Sequence, residues 1–306
     1  MAKWSISGHN CFHRCQRQYF FRNIMAHHNA KKDPRRREAY LIKQLSSLSA
    51  WKGRLVHLAL EKYFVPTLQN GNIISRDELT SRTLELAEQQ LEFSQQRKYR
   101  QHGTTKTKVG DIFLALKAHE PEFDLDKQQV QEVFEDIETC YQNLYSHSRF
   151  MNFISEQADW YQTEFRLSFQ FNNTTIVGQP DLLIGYGEGK ICVIDWKTGR
   201  STGSNYSRQL YLYGLAVIRN QKWLDYQLQD LLLVEANLLQ NKFIKYTIDE
   251  SQELEIEDFL DRSISKIKAV TGDRKYNLND LKDYAYANSL SSCQHCNFKA
   301  LCQSIS

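Results

Sequence analysis

Two carboxylates and a lysine occupy a short glycine-punctuated stretch, V-G-Q-P-D-L-L-I-G-Y-G-E-G-K-I-C-V-I-D-W-K-T-G, over residues 177–199. Ile176, Val177, Leu182, Leu183 and Ile184 predict one strand, and Ile191 to Ile194 the next. Gly185, Gly187 and Gly189 mark the turn between them. Asp181 and Asp195 stand equally far from Glu188 at the turn centre, so in an antiparallel pair they lie nearly opposite each other. Alternation then puts Lys197 on the face of Asp195 and Trp196 on the other. Carboxylates that close repel unless a cation intervenes. The chemistry expected is that of a metal-dependent phosphodiesterase. Asp181 and Asp195 hold Mg²⁺ or Mn²⁺ through oxygen, and Lys197 orients the attacking water or stabilises charge on phosphorus. A lone D-x-K is common, and a surface hairpin with incidental charges is the competing reading.

Other residues with chemistry lie far away in sequence. Gly53, His57 and Glu61 are spaced by four and share one helix face. His57 suits a metal ligand, with Glu61 as its supporting partner; a core histidine bonded to Glu61 is the plainer alternative. Gln209 and Tyr213 are one turn apart on a later helix. Seven cysteines are present, and Cys293, Cys296 and Cys302 form C-x₂-C-x₅-C near the end. That spacing wraps a metal or an iron–sulfur cluster and lacks one ligand. Cys15 or Cys11 can complete it, or, for zinc, His295 or His13. Cys140 and Cys192 read as core.

Taken in order, these motifs resemble the iron–sulfur RecB-type branch of the PD-(D/E)XK nuclease superfamily. That branch includes the AddB nuclease domain, the CRISPR adaptation nucleases and eukaryotic replication nuclease-helicases. Pro180-Asp181 with Asp195-Trp196-Lys197 matches the name-giving motif. Gly53 to His57 matches the family's G-x-x-x-H, Gly178 to Asp181 its G-x-x-D, and Gln209 to Tyr213 its Q-x-x-x-Y. The family's opening cysteine pattern matches Cys15-Gln16-Arg17-Gln18-Tyr19, with Gln16 where proline is common. Asp195 stands where many members carry glutamate. The resemblance implies a restriction-endonuclease-like α/β core, a central mixed sheet flanked by helices. It implies His57, Asp181 and Asp195 as metal ligands, with the Trp196 carbonyl as a further one. It also implies Lys197, Gln209 and Tyr213 in the active site, and a 4Fe-4S cluster on Cys15, Cys293, Cys296 and Cys302. The expected activity is cleavage of DNA, on single strands or ends, in repair, recombination or defence. A catalytically silent DNA-end-binding or assembly subunit of a helicase or defence complex is the alternative.

The elements that must position these residues follow from pattern. One nuclease domain is expected over 1–306, with a helical insertion at 66–155 that carries no chemistry. Segments 1–30 and 285–306 together form the cluster region. Helices are expected after Ser5 or Ser7, from Ala50, over 77–99 and 125–148, from Tyr206 to Arg219 and over 249–270. A charged break is expected at 31–38 and loops at 102–110 and 200–205. Strands are expected at 164–171, 231–234 and, at an edge, 243–248. Composition is that of a globular protein, 41% apolar and 25% charged. There is no apolar run of membrane length and no signal-peptide pattern, so a cytoplasmic protein is expected. An odd cysteine count argues against a disulfide framework. No Walker A motif is present, so any unwinding comes from a partner. Residues 1–54 hold 12 Lys and Arg against 2 Asp and Glu, which suits nucleic acid.

Overall fold

The computed structural model describes residues 2–28, 30, 32–121, 125–200, 206–220, 226–272 and 276–305. The fold is mixed α/β. Its strands are β1 (Ala2–Trp4), β2 (Ala158–Thr163), β3 (Leu167–Phe171), β4 (Thr174–Gly178), β5 (Leu182–Tyr186), β6 (Lys190–Lys197), β7 (Leu231–Asn237) and β8 (Lys242–Tyr246). They form a three-stranded sheet ordered β1-β4-β3 and a five-stranded sheet ordered β2-β5-β6-β7-β8. In the larger sheet β6 and β7 are parallel and the other pairs antiparallel. No described helix is long and apolar enough to cross a membrane.

The chain divides into two compact units. One comprises Ser46–Phe169 and Val177–Ile256. Its frame is the five-stranded sheet. The β5–β6 hairpin pairs Leu182 with Ile194, and the turn takes Gly187 and Gly189 at positive φ. Continuing that register by one pair sets Asp181 opposite Asp195. β6 is buried along nearly all its length, because its neighbours pair on both sides and helices cover its faces. Trp196 points into the apolar core, edge-on to Phe150 at 5.7 Å. The helix Leu48–Ala59, capped by Ser47, runs on through a π-helical stretch, Leu60–Phe64, to Val65–Gln69. Its buried stripe is Leu55, Val56, Ala59, Leu60 and Phe64, while Leu58 and Tyr63 are only half-buried. The helices Arg76–Gln95 and Lys127–Ser146 pack on it, and the buried Lys52 pairs with Asp136 at 2.7 Å.

The other unit comprises Met1–Leu45, Gln170–Ile176 and Glu257–Ser306. Ser5 caps Ile6–Arg14, accepting from the Gly8 N–H. Chain start and chain end are bonded within this unit. The Arg17 side chain donates to the Tyr284 carbonyl at 3.2 Å, Gln16 accepts from the Ala285 N–H at 2.9 Å, and Asn297 donates to the Leu45 carbonyl at 2.8 Å. Phe21 stacks on Phe298.

Three local expectations change. The charged break ends early, because Asp33 and Pro34 form an N-cap and first helical position that start Pro34–Gln44. The apolar run 176–184 is two strands in two different sheets, parted at Gln179-Pro180-Asp181, since proline cannot donate to a ladder. The loop at 102–110 contains a helical turn, Lys106–Val109, capped by Thr105. Of the loop expected at 200–205, residues 201–205 lie outside the described residues.

Candidate active site

Asp181 is the junction. Its Oδ2 accepts from the Trp196 backbone N–H at 2.7 Å, and its Oδ1 lies 3.0 Å from His57 Nδ1. Its carbonyl accepts from the Glu164 N–H at 3.2 Å. Three distant stretches of chain therefore meet on one residue. The side chains of His57, Glu164 and Asp181 each offer a ligand atom, all within 4.8 Å of one another.

Glu164 escapes sequence reasoning. Alternation assigns it to the strand at 164–171, but β3 begins only at Leu167. Glu164 sits at a left-handed corner, φ 47°, a conformation non-glycine residues seldom adopt. Gln179 fixes it by donating to its carbonyl at 3.0 Å and its Oε2 at 2.7 Å. Nothing in the residue types around Glu164 announces that corner.

Asp195 and Lys197 share a face of β6, as alternation requires. The Lys197 ammonium pairs with Asp195 Oδ2, which otherwise receives no hydrogen bond of ordinary geometry among the described residues. Asp195 is 3% exposed, so this pair sits in a dry place. Gln209 binds it together: its Nε2 donates to Asp195 Oδ1 at 3.1 Å and lies 2.7 Å from the Tyr213 hydroxyl, while its Oε1 accepts from Lys197 at 3.4 Å. The Lys197 ammonium also lies 4.5 Å from the centre of the Tyr206 ring. Glu61 makes no bond to His57; it lies 3.9 Å from the Lys62 ammonium and lines the adjoining cavity.

Two glycines permit these approaches. A Cβ on Gly178 would stand 2.8 Å from the Tyr213 ring, and one on Gly53 would stand 3.1 Å from Thr198 Oγ1. The G-x-x-D and G-x-x-x-H spacings are thus packing requirements.

The charges are in tension. Burial pushes the Asp195 carboxyl up to about 6, and the Asp181 charge adds to that against the pull of Lys197. Burial likewise raises Glu164 to about 7, with Asp181 and Glu61 adding to it. Burial alone would lower the His57 pKa, but the Asp181 carboxylate more than offsets it, so the imidazole stands above its ordinary value. Carboxylates gathered with an imidazole under such repulsion fit a hard divalent cation, whose charge would let all of them ionise.

In the other unit Cys15, Cys293, Cys296 and Cys302 line one cavity of about 370 Å³. Burial raises the Cys296 thiol, and the other three thiols raise it further. Cys302 is raised by burial and held by Arg17. Cys11 is buried outside that cavity, its thiol 3.8 Å from Gln18 Oε1. His13 lines a different cavity.

A family model for the PD-(D/E)XK nuclease superfamily matches residues 3–303. No curated protein matches. Among solved structures, the crystal structure named SSO0001 is similar at 16% identity and TM-score 0.28, covering 59% of this chain and 79% of that one. A protein named "Putative exonuclease" from Eubacterium rectale is similar at 13% identity and TM-score 0.31, covering 77% of this chain and 84% of that one.

Proposed function

The chain belongs to the PD-(D/E)XK nuclease superfamily, and from that premise we propose that it is a Mg²⁺- or Mn²⁺-dependent deoxyribonuclease acting on single strands or ends. One observation carries the reading. Asp181, held by the Trp196 N–H and His57, stands beside Glu164 while Asp195 and Lys197 form an ion pair braced by Gln209. A binding-only protein has no need of this buried, mutually repelling set. His57, Asp181 and Asp195 would hold the cation, with the Trp196 carbonyl and Glu164 as further donors. When bound, the cation supplies charge neutralisation at a phosphodiester and acidifies water. Asp181 keeps one oxygen oriented by the Trp196 N–H. Lys197, held by Asp195 and Gln209, orients the water and meets charge that grows on the phosphate. Tyr213 keeps Gln209 in place; burial, with Asp195 adding to it, raises its phenol pKa, so it stays neutral.

The second part of the proposal is a 4Fe-4S cluster on Cys15, Cys293, Cys296 and Cys302. Their shared cavity supports it, and Cys11 lies outside that cavity. Cys296 and Cys302, whose thiols burial raises, gain most from binding a cationic cluster. Its role would be to staple this unit.

End-labelled 5′- and 3′-tagged single strands, incubated with Mn²⁺ or with EDTA, test the activity. Cleavage with Mn²⁺ alone is expected, and Lys197→Ala should lower kcat about 100-fold or more with strand binding retained. Binding without any cleavage by anaerobically purified wild type would favour an end-binding or assembly subunit instead.

A further inference from the structure

The insertion at 66–155 does not stand apart from the site. A cavity of about 610 Å³ adjoins the trio His57, Glu164 and Asp181, lined by His57 and Glu164 and by Gln90, Lys106, Asp111 and Phe113 of the insertion. This wall is built into the unit. Buried Trp51 donates to Gln90 Oε1 at 2.7 Å, and Gln90 Nε2 donates to the Asp111 carbonyl at 2.6 Å. Phe113 is backed by Phe93 at 5.6 Å. The chain beyond it is pinned to the start of the His57 helix, because Ser46 donates to the Ala115 carbonyl at 2.8 Å and accepts from the Lys117 N–H at 2.9 Å. Gly110 takes φ 72°, which bends the segment into the cavity lining at no steric cost.

We propose that this cavity is the seat of one or two unpaired nucleotides next to the scissile phosphate, with Lys106 and Arg54 on the strand's phosphates and Leu58 and Phe113 against a base. This rests on the nuclease reading and names its substrate subsite. The volume is that of a pocket holding a molecule of nucleotide size. Away from the trio its charged lining is Arg54, Lys62 and Lys106 against Glu61 and Asp111, with Lys62 and Glu61 facing each other at 3.9 Å. Arg54 and Lys106 are exposed, as groups that track a phosphate backbone must be. Leu58 is half-buried and lines the same recess. A recess of mixed apolar wall and rim cations is the arrangement that holds single strands without base-edge reading. A duplex would keep its bases stacked away from such walls. The insertion therefore acts as the determinant of single-strand preference.

The test uses the full chain with a 5-iodouracil-bearing single-stranded 12-mer, Ca²⁺ replacing Mn²⁺ to hold back cleavage. Photocrosslinks should map to residues 106–113. Lys106→Glu, at an exposed position, should weaken 12-mer binding by fluorescence anisotropy about tenfold with an unchanged melting curve. Phe113→Leu, which keeps an apolar wall, should lower the crosslink yield at 113. With Mn²⁺, Lys106→Glu should raise KM for the 12-mer more than KM for thymidine 5′-(p-nitrophenyl phosphate). Crosslinks confined to other segments, or 12-mer binding by Lys106→Glu within twofold of wild type, overturn the subsite. Failure of the nuclease reading looks different: wild type cleaves neither substrate, while the crosslink map still decides where the strand lies.

Discussion

Glu164 changes how the site should respond to pH. Burial and the Asp181 charge raise it from 4.5 to about 7. Between those values the folded protein keeps a proton that the unfolded chain has released. Stability of the metal-free protein therefore falls as pH rises through about 4.5 to 7. Allowing for solvent screening of a half-buried group, the loss is about 1–2 kcal/mol. Glu164→Gln should flatten that slope, and Mn²⁺ at neutral pH should raise Tm more in wild type than in the variant. Thermal melts across the pH range check this, and a level wild-type profile without metal would count against it. Gly178→Ala is a second test at this scale. The added methyl meets the Tyr213 ring at 2.8 Å, so the ring must move and Gln209 loses its brace. About 1–3 kcal/mol of stability should go, together with a drop in kcat.

Among the elements, the hairpin was the most legible. Its turn glycines, its alternation and the opposition of Asp181 to Asp195 follow from residue types, because a period of two leaves little freedom once one face is buried. The break after Gly178 was hidden, since apolar residues on both sides of Gln179-Pro180 read as one strand. Glu164 was hidden for a related reason: a left-handed corner at a non-glycine residue has no compositional signature, and it exists only because Asp181 and Gln179 hold it. The lining role of Lys106 and Phe113 depends on a tertiary bond, Gln90 to the Asp111 carbonyl, that no local pattern encodes. The spacing of Gly53, His57 and Glu61 singles out His57, whereas the place of Gln209 comes from the family resemblance and not from any local pattern. The cysteine motif makes a prediction at this scale. Anaerobically purified protein should hold about four irons per chain. Cys15→Ser should lose them, and Cys11→Ser should keep them, since Cys11 lies outside the cavity that the other four thiols line. Iron and zinc analysis decides it; zinc in wild type would overturn the cluster, and iron loss in Cys11→Ser alone would reverse the ligand assignment.

At the scale of the molecule, charge is unevenly divided. The unit holding both chain ends has 17 Lys and Arg against 8 Asp and Glu, a balance of +9, which leaves 3 − 9 = −6 for the unit with the carboxylates. Strand binding should therefore weaken steeply with salt through counterion release. Reversing Lys32 and Arg35, both exposed, should reduce the salt slope by about 1–2. Arg36 is a poor choice for that test, because it donates to the Met25 carbonyl at 2.9 Å and lies over the Tyr276 ring. A slope unchanged by the double reversal would assign these cations another role. The meeting of distant residues on Asp181 also sets a timetable. His57 precedes Asp181 by 124 residues, and Gln209 follows Asp195 by 14. Contacts of such separation form only after long loops close. On the ribosome, at roughly 5–20 residues per second, the histidine waits on the order of ten seconds for its carboxylate. A nascent chain that ends before Gln209 thus carries Asp195 and Lys197 without the side chain that braces them in the finished protein.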